Sequence, residues 1–480
     1  MSNKKEFVTN ITDMEKDFPQ WYTDVVLKTE LVDYGPVKGT MVIRPYGYEI
    51  WERIQEYLDT EFKKVGVKNA YFPMFIPESF LKKEAKHVEG FAPEVAVVTY
   101  AGGQELSEKL IIRPTSETII GEMYSKWIKS YRDLPLKLNQ WCNVVRWEKT
   151  TRPFLRTSEF LWQEGHTVFD SIESARQNAL DHLEIYRKMG EELLAIPFLT
   201  GKKTESEKFA GAVDTYTIES IMHDGKSLQS GTSHNLGQNF AKAFDIKFLN
   251  KNGELEYGYT TSFGVSTRLI GAIVMIHGDN RGLVLPPKIA PIQVVIVPIG
   301  KDNETVNNKA RELEFSLKNK GVRVFVDDSQ NSPGWKFNEW EMKGVPVRIE
   351  IGPRDLENNS VIIFRRDNLE KQTVSLNNLD NFIETELENI QKDLFNKAKI
   401  SLDNKMADHK AKSVEDLKQI LDDKKFTLAY FCGDDDCADN IKAQTGATAR
   451  CIEKENLESE HSCFACGKKA KMRVYFARSY

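Results

Sequence analysis

The sequence predicts three domains: an α+β domain built on an antiparallel sheet, an α/β domain, and a small α+β domain rich in cysteine. The chain has 480 residues, whereas one domain usually takes about 100–200. Adjacent prolines in Leu285–Lys288 remove backbone donors and stiffen the chain, as a domain connector would. Five of the six cysteines fall within Phe426–Tyr480. We therefore expect domains over residues 1–285, 286–395 and 396–480.

The first domain mixes helical and strand-like segments unevenly, which favours an antiparallel sheet. Apolar residues at helical spacing predict helices over Tyr46–Lys64, Thr118–Ile128 and Ser174–Ile196. Asp170 is the expected cap of the last helix, because Glu173 follows three residues later. Strand-like runs cover Ala70–Ile76, Lys137–Glu148, Val213–Met222 and Tyr257–Phe263.

The second domain has a different pattern, in which strands and helices alternate. The predicted strands are Gln293–Pro298, Val322–Asp327, Val345–Ile351 and Val361–Arg366, and the predicted helices are Glu304–Lys320 and Trp335–Lys343. Such alternation is typical of a mostly parallel sheet covered by helices. From Leu379 onward the pattern is helical again and leads into the cysteine-rich domain.

Composition excludes several classes of protein. With 66 Lys and Arg against 71 Asp and Glu, the net charge of −5 rules out a basic coat for nucleic acid. Apolar runs such as Ile292–Val297 are far shorter than the roughly 20 residues that a membrane span needs. The first ten residues, MSNKKEFVTN, show no secretory signal, so we expect a cytoplasmic protein without membrane contact.

Two close pairs of cysteines give the strongest metal signal. Cys432 and Cys437 are separated by 25 residues from a second pair, Cys463 and Cys466. Four soft ligands in this arrangement suit a closed, structural Zn²⁺ site, and a domain of this size needs such a support. The alternatives are buried thiols without a metal, or a disulfide pair. Cys451 fits the spacing poorly, and the Cys142 thiol is expected to be inert.

A charged and aromatic segment follows Asn143. Arg146 and Glu148 are two residues apart on a predicted strand and would share one face. For an isolated pair, an internal ion pair or a solvent-facing edge is the simpler interpretation. Arg156, Phe160 and Trp162 favour nucleotide binding instead, by phosphate pairing and stacking.

Three further polar segments are ambiguous when each is taken alone. Arg113–Glu117 precedes a helix and contains ordinary capping residues. Gln229–Asn239 is expected to be a polar loop with Gly231 at its bend, which could position a ligand or merely turn the chain. Ser262–Arg268 ends on an arginine before an apolar helix. No phosphate-binding P-loop, dinucleotide fingerprint or serine nucleophile motif is present in the sequence.

Together these segments resemble the prolyl-tRNA synthetases of class II, of the archaeal/eukaryotic-like type, over essentially the whole chain. Gly66–Phe75 is similar to the family's first motif, in which the proline, here Pro73, lies at the dimer interface. NQWCNVVRWE with PFLRTSEFLWQEGHT matches the second motif, and Arg268 matches the arginine of the third. The third motif keeps only Gly264 of its usual glycines.

The resemblance implies a role for each matching residue. Arg146 and Arg268 would be catalytic, with Arg146 on the α-phosphate of ATP and Arg156 and Arg268 on the β- and γ-phosphates. The residues implied for ATP are Arg146, Glu148, Arg156, Thr157, Phe160, Gln229, Thr232 and Arg268. Those implied for proline are Thr115, Glu117, Arg146, Trp162, His166, Phe209 and His234. Tyr480 matches a terminal tyrosine that approaches the active site in the family.

The resemblance also implies the reaction and its partners. ATP and Mg²⁺ would activate L-proline as prolyl-adenylate, and a homodimer would transfer it to the 3′ end of tRNA(Pro). The second domain would bind the anticodon through a local face, since residues 300–395 contain 14 basic and 18 acidic side chains. Thr167–Tyr257 is too short to hold the editing insertion of bacterial-type relatives. Another class II synthetase of threonyl, seryl or histidyl type, or a non-catalytic tRNA-binding paralogue, remains the alternative.

Overall fold

The computed structural model describes residues 11–83, 95–300, 303–457 and 461–480 of the chain. Residues 1–10, where a secretory signal is not expected, lie outside these ranges. Among the described helices, none is both long and apolar enough to cross a membrane.

The first domain is α+β, as predicted. Its helices are α1 (Phe18–Lys28), α2 (Pro45–Lys64), α3 (Glu78–Lys83), α4 (Glu117–Trp127), α5 (Ile172–Met189), α6 (Asn239–Phe244) and α7 (Arg268–His277). Its strands are β1 (Val32–Tyr34), β2 (Met41–Ile43), β3 (Lys68–Asn69), β4 (Phe75–Pro77), β5 (Ala96–Ala101), β6 (Gln104–Ile112), β7 (Leu136–Val145), β8 (Glu159–Phe169), β9 (Leu199–Lys202), β10 (Asp214–Ile221), β11 (Ser227–Gly237), β12 (Lys247–Leu249), β13 (Leu255–Tyr257) and β14 (Tyr259–Ser266).

Some local details differ from the sequence prediction. The expected strand Ala70–Ile76 is interrupted between β3 and β4, where Pro73 cannot donate to a strand ladder. The cap of α5 is Ser171 and not Asp170, because the Ser171 hydroxyl accepts from the Ser174 backbone N–H at 3.3 Å. The regular part of α5 ends at Met189, and residues 190–194 form a wider turn.

The two faces of the central sheet differ: a helix covers one, and the other is left open and can hold a cavity. Strands β9, β10, β11, β14, β8 and β7 lie side by side in that order and pair antiparallel, and β3 joins β7 in parallel. Helix α5 covers one face: its Tyr186 hydroxyl donates to Gln163 on β8, and Ser233 on β11 donates to the Ala179 carbonyl. Because side chains alternate along a strand, the neighbouring residues of β8 and β11 point to the other face.

The second domain is an α/β domain, as expected, although its sheet is mixed. Its strands are β15 (Val294–Pro298), β16 (Val324–Val326), β17 (Val347–Ile351), β18 (Ser360–Arg365) and β19 (Lys371–Ser375), and its helices are α8 (Glu304–Asn319), α9 (Pro333–Met342), α10 (Pro353–Glu357) and α11 (Leu379–Lys405). β15 pairs in parallel with β16 and β17, whereas β18 pairs antiparallel with β17 and β19. The links into β18 and β19 are too short for the helical crossover that parallel pairing needs.

The third domain does not stand apart from the first, because its strands extend the central sheet. It contains α12 (Val414–Asp422), β20 (Thr427–Phe431), α13 (Asp435–Thr445), β21 (Ala447–Glu455) and β22 (Met472–Arg478). β21 reaches β9 through the pair Ile452 and Lys202, which makes a ten-stranded sheet. Gly201 permits this approach, since a Cβ there would lie 2.6 Å from the Ile452 carbonyl oxygen.

Candidate active site

A cavity of about 340 Å³ lies on the sheet face that α5 leaves uncovered. Four residues at alternate positions of β8 line it: Phe160, Trp162, Glu164 and His166. Residues six apart on a strand are separated by about 20 Å. The cavity is therefore long enough for two substrates side by side, one near each end of this row.

The end near Phe160 is cationic. Arg146 donates through Nε to the Pro114 carbonyl at 3.0 Å, and its guanidinium lies 5.5 Å from the Phe160 ring centre. Arg268, at the first position of α7, donates to the carbonyls of Leu155 and Gln229 at 3.1 and 3.2 Å.

Arg268 is a buried cation with two other arginines close by. Burial, together with the positive charges of Arg146 and Arg156, lowers the pKa of its guanidinium to about 10. A buried cation with like charges around it is stabilised by an incoming anion, and a guanidinium pairs well with phosphate oxygens. This end of the cavity is suited to a polyanion.

The end near His166 contains carboxylates. The Thr115 hydroxyl donates to Glu117, and Glu164 accepts from the Ser116 N–H at 3.2 Å and lies 3.3 Å from Nε2 of His166. Burial alone would lower the pKa of His166, but the hydrogen bond to Glu164 and the charges of Glu117 and Glu164 raise it. This end is suited to a small cation such as an amino group.

His234 faces the cavity from β11 and is neutral. The loop expected over Gln229–Asn239 is wrong, because residues 227–237 pair with both β10 and β14 and so form a strand. Burial, with the positive charges of His166 and Lys203, lowers the pKa of His234 to about 3. Its Nδ1 lies 2.9 Å from the Thr215 hydroxyl, and its ring centre lies 4.8 Å from that of Phe209. The pair of rings offers an apolar wall with one hydrogen-bonding edge.

Most of the residues predicted for the site meet in this cavity. Those that line it are Thr115, Glu117, Arg146, Phe160, Trp162, His166, Phe209, Gln229, Thr232, His234 and Arg268. Glu148, Arg156 and Thr157 are not among the lining residues. The strand expected over Lys137–Glu148 is confirmed as β7, but it ends at Val145, before both Arg146 and Glu148. The Glu148 N–H instead donates back to the Arg146 carbonyl at 2.8 Å.

The three predicted residues outside the cavity have other partners. Arg156 donates to Glu148 at 3.4 Å and is 53% exposed, so this pair contributes little to stability. The Thr157 hydroxyl donates to the Glu159 carbonyl at 2.6 Å. Tyr480 donates to Asp224 at 2.7 Å, and its ring centre lies 6.0 Å from the guanidinium of Arg152, in the β7–β8 loop.

Several lining residues were not predicted, and one of them could have been. The additional polar ones are Glu164, Glu207, Thr215, Ser230, Ser262 and Ser266. Glu164 follows Phe160 and Trp162 at the same alternate spacing, so strand periodicity alone places it on the same face. Thr215 and Glu207 belong to a different part of the chain, and no local pattern connects them with β8.

The four cysteines of the third domain converge on one point. Their sulfur atoms all lie within 4.8 Å of one another. Cys437 and Cys463 have sulfurs 3.8 Å apart, and those of Cys432 and Cys466 are 3.7 Å apart. A disulfide requires about 2.05 Å, whereas a tetrahedron with Zn–S bonds of about 2.3 Å has edges of about 3.8 Å. The donor set and its spacing therefore fit Zn²⁺.

The remaining two thiols lie outside this group. Cys451 is fully buried beside Gly201, and Cys142 is half-buried with its sulfur 3.5 Å from Glu164. Burial and the charge of Glu164 raise the pKa of the Cys142 thiol to about 12, so it stays protonated at neutral pH.

Three family descriptions match successive parts of the chain. Residues 98–277 match the tRNA synthetase class II core domain (G, H, P, S and T), residues 293–386 an anticodon binding domain, and residues 414–480 the prolyl-tRNA synthetase C-terminal domain. These three segments follow the domain order that the sequence predicts.

Curated relatives and solved structures match over the full length. A proline--tRNA ligase of Alkaliphilus oremlandii is 61% identical, with 100% of each chain covered. A proline--tRNA ligase 2 of Clostridioides difficile is 56% identical over 100% of this chain and 99% of that one. The crystal structure of prolyl-tRNA synthetase from Cryptosporidium parvum, complexed with halofuginone and AMPPNP, has a TM-score of 0.94 and 43% identity, covering 98% and 99% of the two chains.

Proposed function

The chain belongs to the prolyl-tRNA synthetase family, and from that premise we propose how its cavity divides between ATP and L-proline. Family members are class II ligases that activate proline with ATP and transfer it to the 3′ end of tRNA. The observation that carries the proposal is the polarity of the cavity, with Arg268 toward one end and Glu117 and Glu164 toward the other. Arg146 lies between them, bonded to the Pro114 carbonyl and 5.5 and 5.4 Å from the Phe160 and Trp162 ring centres.

ATP occupies the cationic end. Arg146 contacts the α-phosphate, Arg268 and Arg156 hold the β- and γ-phosphates, and adenine stacks on Phe160, near Gln229 and Thr232. Arg156 is exposed and only loosely paired with Glu148, so it is available to turn toward the phosphates. We assign Glu148 and Thr157 to the adenine side of the nucleotide. When bound with ATP, Mg²⁺ would neutralise part of the phosphate charge that the arginines do not.

Proline occupies the other end. Its cationic imino group faces Glu117 and Thr115. The hydrogen bond from the Thr115 hydroxyl orients the Glu117 carboxylate. Trp162, Phe209 and His166 surround the ring, and neutral His234 presents a hydrogen-bonding edge without adding charge. The proline carboxylate then points along the row of β8 side chains toward Arg146.

Two steps follow from this arrangement, and neither needs a nucleophilic side chain. The proline carboxylate attacks the α-phosphorus, the bond to the bridging oxygen breaks, and pyrophosphate leaves. A terminal ribose hydroxyl of tRNA(Pro) then attacks the carbonyl of prolyl-adenylate and releases AMP. Arg146 and Arg268 are catalytic because they stabilise the charge that develops on the phosphates, so catalysis rests on positioning and electrostatics.

Three further properties remain part of the proposal. Cys432, Cys437, Cys463 and Cys466 hold one structural Zn²⁺, supported by the spacing of their sulfurs. The chain forms a homodimer through the segment around Pro73, where Tyr71 and Phe75 are 72% and 46% exposed. The protein works in the cytoplasm with tRNA(Pro). The domain boundaries proposed are those predicted above, at 285 and 395, and the second of them falls within the continuous helix α11.

Pyrophosphate exchange, measured separately with each of the twenty amino acids, tests the proposed function. Proline should stimulate exchange strongly. Stimulation by threonine, serine or histidine in place of proline would favour another class II synthetase. No exchange with any amino acid would favour a non-catalytic tRNA-binding paralogue.

A further inference from the structure

A buried charge cluster connects the third domain to the wall of the cavity. Glu219, on β10, has a fully buried side chain, and Lys203 donates to it at 2.8 Å. Arg450, on β21, donates to the same carboxylate through Nη2 at 2.9 Å and through Nε at 3.2 Å. Lys203 and Arg450 are 1% and 7% exposed.

The Glu219 carboxylate is fully satisfied within this cluster. It also accepts hydrogen bonds from the hydroxyls of Ser227 at 2.6 Å and Thr217 at 2.9 Å. Burial would raise its pKa, but Lys203 and Arg450 lower it to about 2, so the carboxylate is ionised at neutral pH. Lys203 and Arg450 both pair with the Glu219 carboxylate, and Arg450 is the one that belongs to the third domain.

Glu219 lies next to the residue that holds Arg268. In the β10–β11 pairing, Glu219 stands directly opposite Gln229. The Gln229 carbonyl accepts a hydrogen bond from Nη1 of Arg268. Gln229 also lines the cavity. Any shift of β10 at Glu219 therefore moves the carbonyl that aims Arg268.

The same short stretch of β11 is held by a second contact from the third domain. The backbone N–H of Tyr480 donates to the Ser227 carbonyl at 3.1 Å. Ser227 thus contacts the third domain through its carbonyl and Glu219 through its hydroxyl. The third domain therefore holds Ser227 directly through Tyr480 and indirectly through Arg450, which binds the Glu219 carboxylate that the Ser227 hydroxyl contacts.

We propose that Arg450 is a positioning residue for ATP: it fixes Glu219 and, through the Glu219–Gln229 strand pair, the carbonyl that orients Arg268 toward the phosphates. The proposal rests on the proposed function, because it assigns ATP to the Arg268 end of the cavity. It makes the third domain a structural part of the nucleotide site, although none of its residues lines the cavity among those described.

A purely adhesive role for the cluster predicts something different. If Arg450 only attached the third domain, its loss would lower thermal stability and leave the affinity of the folded protein for both substrates unchanged. A positioning role changes the affinity for ATP and leaves the affinity for proline unchanged. At the proline end, Glu117 is hydrogen-bonded to Thr115, and Glu164 to Ser116 and His166, so these carboxylates are held by residues other than 227–229.

The test is calorimetric titration of the full-length protein with ATP and, separately, with proline. The variants are Arg450→Met, Arg450→Lys, Ser227→Ala and, as a matched control, Arg473→Met. Arg473 pairs with Glu453 on the neighbouring strand of the same domain and makes no contact with Glu219. Thermal unfolding of each variant identifies those that are folded at the titration temperature.

Losing a hydrogen-bonded charge typically costs a factor of about ten or more, so Arg450→Met should raise the ATP Kd about tenfold. Ser227→Ala, which removes a neutral donor, should raise it about threefold, and Arg450→Lys should lie between wild type and Arg450→Met. The proline Kd should change in none of them, and Arg473→Met should match wild type.

An unchanged ATP Kd in folded Arg450→Met would overturn the proposal, as would equal losses of ATP and proline affinity. If Arg450→Met does not fold, an unchanged ATP Kd in both Ser227→Ala and Arg450→Lys would overturn it. Proline-dependent exchange by the wild-type protein, run in parallel, reports on the proposed function separately. Its absence together with intact ATP binding would refute that function and not the role of Arg450.

Discussion

Arg366 and Asp279 form a bidentate ion pair, with nitrogen–oxygen distances of 2.6 and 2.8 Å, between the second domain and the second residue after α7. Arg366 also donates to the Glu341 carbonyl at 2.7 Å, and its side chain is 1% exposed. Because α7 begins with Arg268, one helix connects this ion pair to the cationic end of the cavity.

Removing the Arg366 guanidinium should therefore destabilise the interface between the domains. Arg366→Met is expected to lower the free energy of unfolding by about 1–3 kcal/mol, since it removes charged hydrogen bonds at a buried site. Urea titration would measure this. Arg281→Met is the matched control, because Arg281 is 57% exposed beside Glu341 and should contribute less than about 1 kcal/mol. Equal effects of the two variants would contradict the assignment.

Arg146→Ala should abolish adenylate formation without unfolding the protein. Loss of one charge-stabilising group in an active site commonly costs a factor of about 100–1,000 in rate, and Arg146 stands on the proposed α-phosphate site. Proline-dependent pyrophosphate exchange measures the rate, and circular dichroism checks the fold. Arg187→Ala, on the outer surface of α5, is the control. Exchange retained by Arg146→Ala would show that the α-phosphate lies elsewhere.

The two ends of the cavity should be separable by mutation. Phe160→Leu is expected to raise the KM for ATP by about 2–10-fold, the range that an aromatic contact is worth, with little change in the KM for proline. Phe209→Leu should do the reverse, because Phe209 lies against His234 at the proposed proline end. The KM of each substrate in pyrophosphate exchange reports this. A rise in the KM of the wrong substrate would reverse the proposed orientation.

His166 should add a pH-dependent component to stability. Its pKa is raised in the folded protein above the unfolded value of about 6.5, so its contribution is complete below that pH and is lost as the pH rises through the folded pKa. Urea titration measures the free energy of unfolding of wild type and of His166→Gln. The difference between the two should be largest near pH 6 and should decrease as the pH rises above it. A difference that grows as the pH rises would show that His166 is neutral when folded.

One zinc ion should be found per chain. Elemental analysis of purified protein is expected to find stoichiometric zinc in wild type and in Cys451→Ser, whose thiol lies outside the group of four. Cys463→Ser should lose the metal, because three remaining sulfurs no longer close the site. Folded wild-type protein without metal would remove zinc from the proposal.

Sequence reasoning worked best where a pattern is local. The apolar period of Tyr46–Lys64 predicted α2, and the spacing of the four cysteines predicted a cluster that the fold assembles. It was weaker where partners are distant along the chain. The contact of Arg450 with Glu219 joins residues more than two hundred positions apart, and no periodicity encodes it. Strand ends were also hard to predict from the sequence. β7 ends at Val145, so neither Arg146 nor Glu148 belongs to the strand that they were expected to share.

The single strand pair between Lys202 and Ile452 has a consequence for biosynthesis. β9 leaves the ribosome long before β21, so its outer edge is exposed while the rest of the chain is made. An open strand edge is a template for pairing with other chains. The nascent protein is thus most prone to self-association before residues 447–455 emerge, and a chain truncated ahead of them should aggregate when expressed.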